Sequence, residues 1–448
     1  MERDKMKRKT IVILVICLLI VLGVALTNNL FSNKEEKNLV INPVYWVLSD
    51  THFISPELYD TGEAFEKIKK TSAGKELEYQ KESLQALVDK ALNEKPAGII
   101  ITGDLTLNGE KKSAEELAKI FHPLEENGIQ CLVIPGNHDI QDGWAREFKE
   151  NNSVKSSQIS ADEFKKIFDI SYKYGTQQDD SSLSYLVNVN EDYQFLMLDT
   201  NIYSKLESTT SPRTKGEIKP ETMRWIEKQL QKGQENQKET VVFMHHNLLK
   251  HNEVVYEGFV LNNNAELQNL LNEYHVSLVF SGHIHAKSVK KDKTQQIREV
   301  VSPSYSMTEQ LYGELSLSSQ KISYNKKRID VDSWAKKEGL QDPNLLNYRE
   351  FTKNLFVDDG EKMAYGQLIE NGLYIEEDLD EAARFVGQAN WRYFTGNNEL
   401  SESEIVKLKS DKGYQVIKEW SPELNKYLDS IIKPVGNPDM FNIEITRK

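Results

Sequence analysis

Asp50-Thr51-His52, Gly103-Asp104, Gly136-Asn137-His138-Asp139, His245-His246 and Gly282-His283-Ile284-His285 each stand directly after a short apolar run. Runs of that length read as buried strands, so these side chains collect at strand C-terminal ends, where open α/β sheets bind ligands. The residue types are those of metal and proton chemistry. Asp50 and His52 are spaced i, i+2, which on an extended segment sends both side chains to one face, and His283 and His285 repeat the spacing. Gly103 lets the backbone turn sharply before Asp104, whose carboxylate can then lie between two ions. Asn137 supplies a neutral oxygen, while His245, His283 and His285 supply imidazole nitrogen. Seven ligands of mixed Asp, Asn and His type suit two metal ions about 3.5–4 Å apart with one carboxylate bridging them. His138 and Asp139 add a group for proton transfer and a carboxylate to orient it. Five of the nine histidines, His52, His138, His245, His283 and His285, hold the ligand and proton-transfer positions at these strand ends, more than chance placement of structural histidines explains; His122 and His275, in helical stretches, are read as structural.

Positioning such ends requires strands and helices in alternation. Apolar strand patterns over 44–48, 98–102, 131–134, 240–244 and 276–280 are separated by helical spacing over 75–93, 113–126, 220–230 and 265–274. A hairpin over 185–189 and 193–198, a short helix over 161–168, and strand patterns over 286–290, 297–301 and 314–331 complete the domain, with 149–160 and 175–183 read as polar loop. This predicts an α/β domain over 43–331, two packed sheets in a β-sandwich flanked by helices. Residues 332–448 show only helical patterns and predict an acidic all-α C-terminal domain without chemistry of its own, its tryptophans serving as core or domain contacts.

Composition bounds what the chain acts on. A net charge of −13 offers no basic groove, so nucleic acid is not an expected partner. The two cysteines, Cys17 and Cys131, imply neither a disulfide nor a zinc cluster. Arg3, Lys5, Lys7, Arg8 and Lys9 precede the uncharged run Ile11 to Leu26, which predicts a signal anchor over 1–27. The expected arrangement is a single-pass cell-membrane protein with its catalytic domain outside the cytoplasm, joined by a linker over 28–42, and secreted where the leader is cleaved.

The ordered set Asp-x-His, Gly-Asp, Gly-Asn-His-Asp, His and Gly-His-x-His over 44–331 resembles the calcineurin-like metallophosphoesterases. The resemblance implies one metal site from Asp50, His52, Asp104 and His285 and a second from Asp104, Asn137, His245 and His283. It places His138 at the leaving group with Asp139 behind it. His245 is taken as the ligand over His246 because it comes first after the strand and the family ligand sits there; His246 and His251 then either reach the substrate or face solvent. Purple acid phosphatases, relatives of the family, carry a metal-binding tyrosine where this chain has Leu107, so two divalent ions, Mn2+, Fe2+ or Zn2+, are expected. The implied reaction is in-line attack on phosphorus by a hydroxide held between the ions, on a small-molecule phosphoester. The anchor, the stretch Gly103 to Gly109 and the helical tail are similar to the cyclic nucleotide phosphodiesterase branch found in Gram-positive bacteria. That similarity implies hydrolysis of a 3′,5′- or 2′,3′-cyclic nucleotide, the alternatives being a phosphomonoester or nucleotide-sugar pyrophosphate, or a non-catalytic metal-dependent binding module. With no Arg or Lys next to the motifs, the sequence disfavours a dianionic substrate.

Overall fold

The computed structural model describes residues 42–433 and 442–447; the anchor expected over 1–27 and nearly all of the linker lie outside the described residues. Among the described residues no helix is long and apolar enough to cross a membrane.

One sheet takes β1 (Val44–Leu48), β2 (Gly98–Ile101) and β3 (Gln130–Val133) in parallel. A small ribbon, β4 (Arg146–Lys149) and β5 (Asn152–Lys155), lies between the sheets in sequence. The second sheet contains β6 (Gln177–Gln178), β7 (Tyr185–Asn188), β8 (Tyr193–Met197), β9 (Glu239–Phe243), β10 (Leu278–Ser281), β11 (Ser288–Lys291) and β12 (Arg298–Val301), with β8, β9, β10 and β12 parallel. The chain then returns to the first sheet, where β13 (Leu311–Leu317) pairs antiparallel with β1 and with β14 (Lys321–Arg328).

Period-two alternation decides which face of each strand is buried where. Phe195, Phe243 and Phe280 point from β8, β9 and β10 into the core between the sheets, with Tyr45 of β1 edge-on to Phe195 at 4.8 Å. Their neighbours Leu196, Val242 and Val279 point the other way, under Ile226, Leu230, Leu267 and Leu271 of the covering helices. Both faces are therefore apolar, which is why these strands read as continuous hydrophobic runs. The result is the expected sandwich flanked by helices.

Two sequence readings need correction. The stretches 149–160 and 175–183, read as loop, contain part of the β4–β5 ribbon and the two-residue β6; the residues of β5 and β6 are all exposed, so no buried face reveals them. The C-terminal segment is not all helical: its helices run from Val331 to Ile431, and then β15 (Asn442–Thr446) pairs antiparallel with β14 as the sheet edge. Ile443 is buried and Ile445 packs on the core, a two-residue alternation too short to stand out in the sequence.

The helical domain has its own core, around Leu368, Leu379, Val386, Ile417 and Leu428. It is fastened to the sandwich by the Trp334 Nε1 donating to Asp89 (2.8 Å), the Lys287 amide donating to the Phe394 carbonyl (2.9 Å), and the Tyr348 hydroxyl donating to Glu76 (2.9 Å). Glu76 also accepts from the amides of Glu78 and Tyr79, yet burial pushes its carboxyl from the ordinary 4.5 up to about 7. Because this folded value is the higher one, the bound proton stabilises the fold fully below about pH 4.5, and that contribution is lost as pH rises through about 7. Between pH 5 and pH 8 the wild type is expected to lose on the order of 3 kcal/mol in urea unfolding relative to Glu76→Gln. Equal pH slopes for the two proteins would remove Glu76 as the source.

Candidate dimetal site

The five strand ends meet at one edge of the sandwich. Asp50, His52, Asp104 and His285 form one group and Asp104, His245 and His283 a second, the candidate ligand atoms of each lying within 4.8 Å of one another. Asp104 belongs to both, and Asn137 Oδ1 reaches 3.1 Å from His245 Nε2. The convergence is not produced by extended segments. Asp50, His52, Asp104, His283 and His285 all have left-handed backbone, with φ of 55°, 40°, 49°, 67° and 60°, a conformation that side chains other than Gly rarely adopt. Each i, i+2 pair meets because the chain coils after its strand, rather than because alternate residues share a face.

The glycines of the motifs are needed for close approach. A Cβ at Gly136 would fall 2.1 Å from the Asp104 amide nitrogen, and one at Gly282 would fall 2.5 Å from Asp50 Oδ2. Removing those two methyl positions lets the carboxylates lie against neighbouring backbone.

The ring nitrogens show what the cluster is built to hold. His245 Nδ1 faces the Thr102 carbonyl at 2.8 Å and must donate there, so Nε2 is the nitrogen turned to Asp104 Oδ2 (3.3 Å) and Asn137 Oδ1 (3.1 Å). His52 Nε2 and His285 Nε2 face each other at 3.1 Å, His285 Nε2 also lies 3.2 Å from Asp50 Oδ1, and His52 Nδ1 is buried without a hydrogen bond. Converging lone pairs in a buried pocket are stable only around positive charge, and the donor set of carboxylate, amide oxygen and imidazole fits divalent metal. His283 Nε2 donates towards the carbonyls of Thr214 (2.9 Å) and Gly258 (3.3 Å), which leaves Nδ1 to serve as its ligand atom. Burial lowers the pKa of His52 and that of His283, to about 3 for the latter, so both rings are neutral donors. Burial alone would raise Asp50 and Asp104, but the surrounding imidazoles, His285 and His245 foremost, hold both carboxyls below their usual range.

His138 projects beside this cluster. Its Nδ1 lies 3.1 Å from Asn108 Oδ1 and 3.5 Å from Asp142 Oδ2, so Nε2 is the nitrogen left for a substrate. The carboxylate behind His138 is thus Asp142, not Asp139. Asp139 instead accepts from the amides of Leu105, Thr106 and Gly136 and from the Thr106 hydroxyl, tying the Gly103–Gly109 loop to the Gly136 turn. The second adjustment concerns the histidines assigned to substrate. His246 is buried, with Nδ1 2.8 Å from Thr200 Oγ1 and Nε2 3.1 Å from the Thr214 carbonyl, and its ring packs 4.5 Å from that of His283. His251 is buried between Ser288 and Glu299, whose carboxylate also accepts from the amides of Leu248 and Leu249. Neither presents a free nitrogen to a ligand.

Lys75 was not foreseen. It lines the same cavity as His283 and His285, close enough to be favoured by the charges of Asp104 and Asp50, although burial lowers its pKa. Nothing near residue 75 in the sequence marks it, since it arrives from the connection ahead of the helix Gln80–Glu94. That cavity, about 530 Å³, lies between the dimetal site and the helical domain.

Residues 44–287 match the calcineurin-like phosphoesterase family model, and residues 330–435 match that of the C-terminal domain of cyclic nucleotide phosphodiesterase. The chain belongs to the calcineurin-like phosphoesterase family, as a two-metal phosphoric ester hydrolase. A probable glycerophosphodiester phosphodiesterase of Arcobacter nitrofigilis is 24% identical over 257 residues, 56% of this chain and 77% of that protein. Probable cyclic nucleotide phosphodiesterases are 36% identical over 69 residues in Ruthia magnifica (15% of this chain, 28% of that one) and 23% identical over 226 residues in Psychrobacter arcticus (50% and 70%). Among solved structures, a dimetal phosphatase of Danio rerio aligns over 64% of this chain and 96% of its own, with 11% identity and a TM-score of 0.48.

Proposed function

We propose that this protein hydrolyses cyclic nucleotides, 3′,5′ or 2′,3′, to the monophosphate. The observation that carries the reading is the pairing, in one chain, of the phosphoesterase domain with a segment matching the C-terminal domain of cyclic nucleotide phosphodiesterase. Asp50, His52, Asp104 and His285 would hold one divalent ion and Asp104, Asn137, His245 and His283 the other. Such a pair, when bound, supplies Lewis acidity and a nucleophile at neutral pH. The protein's own part is positioning and proton transfer. Asn108 and Asp142 fix the His138 ring through Nδ1, and the Nε2–H then protonates the departing ribose oxygen, which would otherwise leave as a poor alkoxide. His246, wedged on Thr200 and Thr214, holds the His283 ring in its orientation.

Lys75 favours a second reading, a phosphomonoesterase or nucleotide pyrophosphatase, because it supplies the cation whose absence from the motifs argued against a dianion. The deciding measurement is kcat/KM for cyclic AMP, AMP and a nucleotide-sugar on one metal-loaded preparation. A cyclic nucleotide preference of about tenfold or more, roughly 1.4 kcal/mol at the transition state, is expected. The same margin for AMP or the nucleotide-sugar favours the second reading.

The basic flank and uncharged run at the N-terminus support a single-pass anchor with the hydrolase outside the cytoplasm. Protease added to intact cells should digest the domain, and digestion only after lysis would contradict that topology.

A further inference from the structure

The cavity beside the dimetal site has two unlike walls. On one side stand His283, His285 and Lys75; on the other, the helices Tyr348–Glu370 and Glu376–Phe394 contribute Phe356, Tyr393 and Phe394. Phe259 joins them from the sandwich, its ring 5.0 Å from that of His283. At about 530 Å³ the space falls within the roughly 300–1,000 Å³ of pockets that enclose small ligands. Flat aromatic walls suit a flat aromatic ligand, and little in this lining matches a group as small and polar as glycerol.

The wall also has groups to orient what it holds. The buried Asn390 amide accepts from the Tyr427 hydroxyl (2.8 Å) through its oxygen, which leaves its N–H groups to donate into the cavity's ligand. The wall is registered to the metal ligands. The Lys287 amide, two residues beyond His285, donates to the Phe394 carbonyl (2.9 Å), and Asn252 Nδ2 donates to the Tyr393 hydroxyl (3.3 Å). Phe394 and Tyr393 therefore stand at a set position relative to His285.

We propose that this cavity seats the nucleoside of the substrate, with the base against Phe259 and Tyr393 and the phosphodiester at the His283–His285 end. The helical domain is then the element that selects substrate. The proposal rests on the cyclic nucleotide reading and adds to it where the base is recognised.

The test compares cyclic AMP with glycerophosphoethanolamine, a diester without any aromatic ring, on the full chain loaded with manganese. Tyr393→Ala is expected to lower the ratio of their kcat/KM values about tenfold, the effect of one lost base-stacking contact, mainly through KM for cyclic AMP. Met363→Trp, at a rim position 51% exposed and so free of folding cost, is expected to lower the same ratio by obstructing the cavity. If wild type hydrolyses cyclic AMP and both variants keep its ratio, the seat is wrong while the activity stands. Wild type that cleaves the glycerophosphodiester but no cyclic nucleotide sinks the activity itself, and the seat with it.

Discussion

Asp104→Asn is expected to cost at least about 10³-fold in kcat/KM on any phosphoester while leaving the fold intact. Asp104 is the one carboxylate common to both ligand groups, so its charge is felt at both metal positions. The substitution preserves shape, and an amide oxygen can still accept from the His138 amide as Oδ1 does now at 2.9 Å. What disappears is the negative charge facing His52 Nε2 at 3.6 Å and His245 Nε2 at 3.3 Å, and with it the compensation that two dications require. Elemental analysis should therefore find fewer than two metal ions per chain with unfolding transitions close to wild type. Two ions still bound at wild-type stoichiometry would remove Asp104 from the bridging position.

His138→Ala separates proton transfer from metal binding. The residue contributes no atom to either ligand group, so metal content should not change. Rates on substrates whose leaving group is an alkoxide should fall by about 10²–10⁴-fold, the usual worth of a positioned general acid. With a nitrophenolate leaving group, which departs without protonation, the loss should stay under about tenfold. Asp142→Asn should give a weaker version of the same pattern, since it acts only by holding Nδ1. Equal losses on alkyl and nitrophenyl esters would show that His138 serves binding instead of leaving-group departure.

The metal-facing residues were legible in the sequence because each follows a strand buried on both faces, and an uninterrupted apolar run ending in Asp, Asn or His is a local signal. The geometry behind them was not. The i, i+2 spacing of Asp50 with His52 suggests an extended segment, whereas both residues have left-handed backbone, with Gly282 packed against the Asp50 side chain and Gly136 against Asp104. Adjacency misled in the case of Asp139, which sits next to His138 in the chain yet points into the Leu105–Thr106 loop. Asp142, four residues on from His138, lies beside the ring. The same holds for His251. Its partner Glu299 lies 48 residues away and enters only when β12 pairs with β10, so nothing near His251 marked it as buried. Lys75 is the converse case, a residue without a local pattern that tertiary packing brings to the cavity.

The pairing of β15 with β14 has a consequence for dissecting this protein. Asn442 lies opposite Asn325 and Thr446 opposite Lys321, so the helical domain occupies the loop of a β-hairpin and is an insertion rather than a tail. Cutting the gene after residue 330 would strip the sheet of its terminal strand and leave β14 with a row of unpaired amide and carbonyl groups, a template for edge-to-edge association. Excision inside the hairpin, joining Arg328 to Asn442, would keep Ile443 but remove Val331, Ala335, Leu345 and Tyr348 from the same core. Either shortened chain is therefore expected to aggregate at concentrations where the chain with both domains does not, a difference that light scattering can measure.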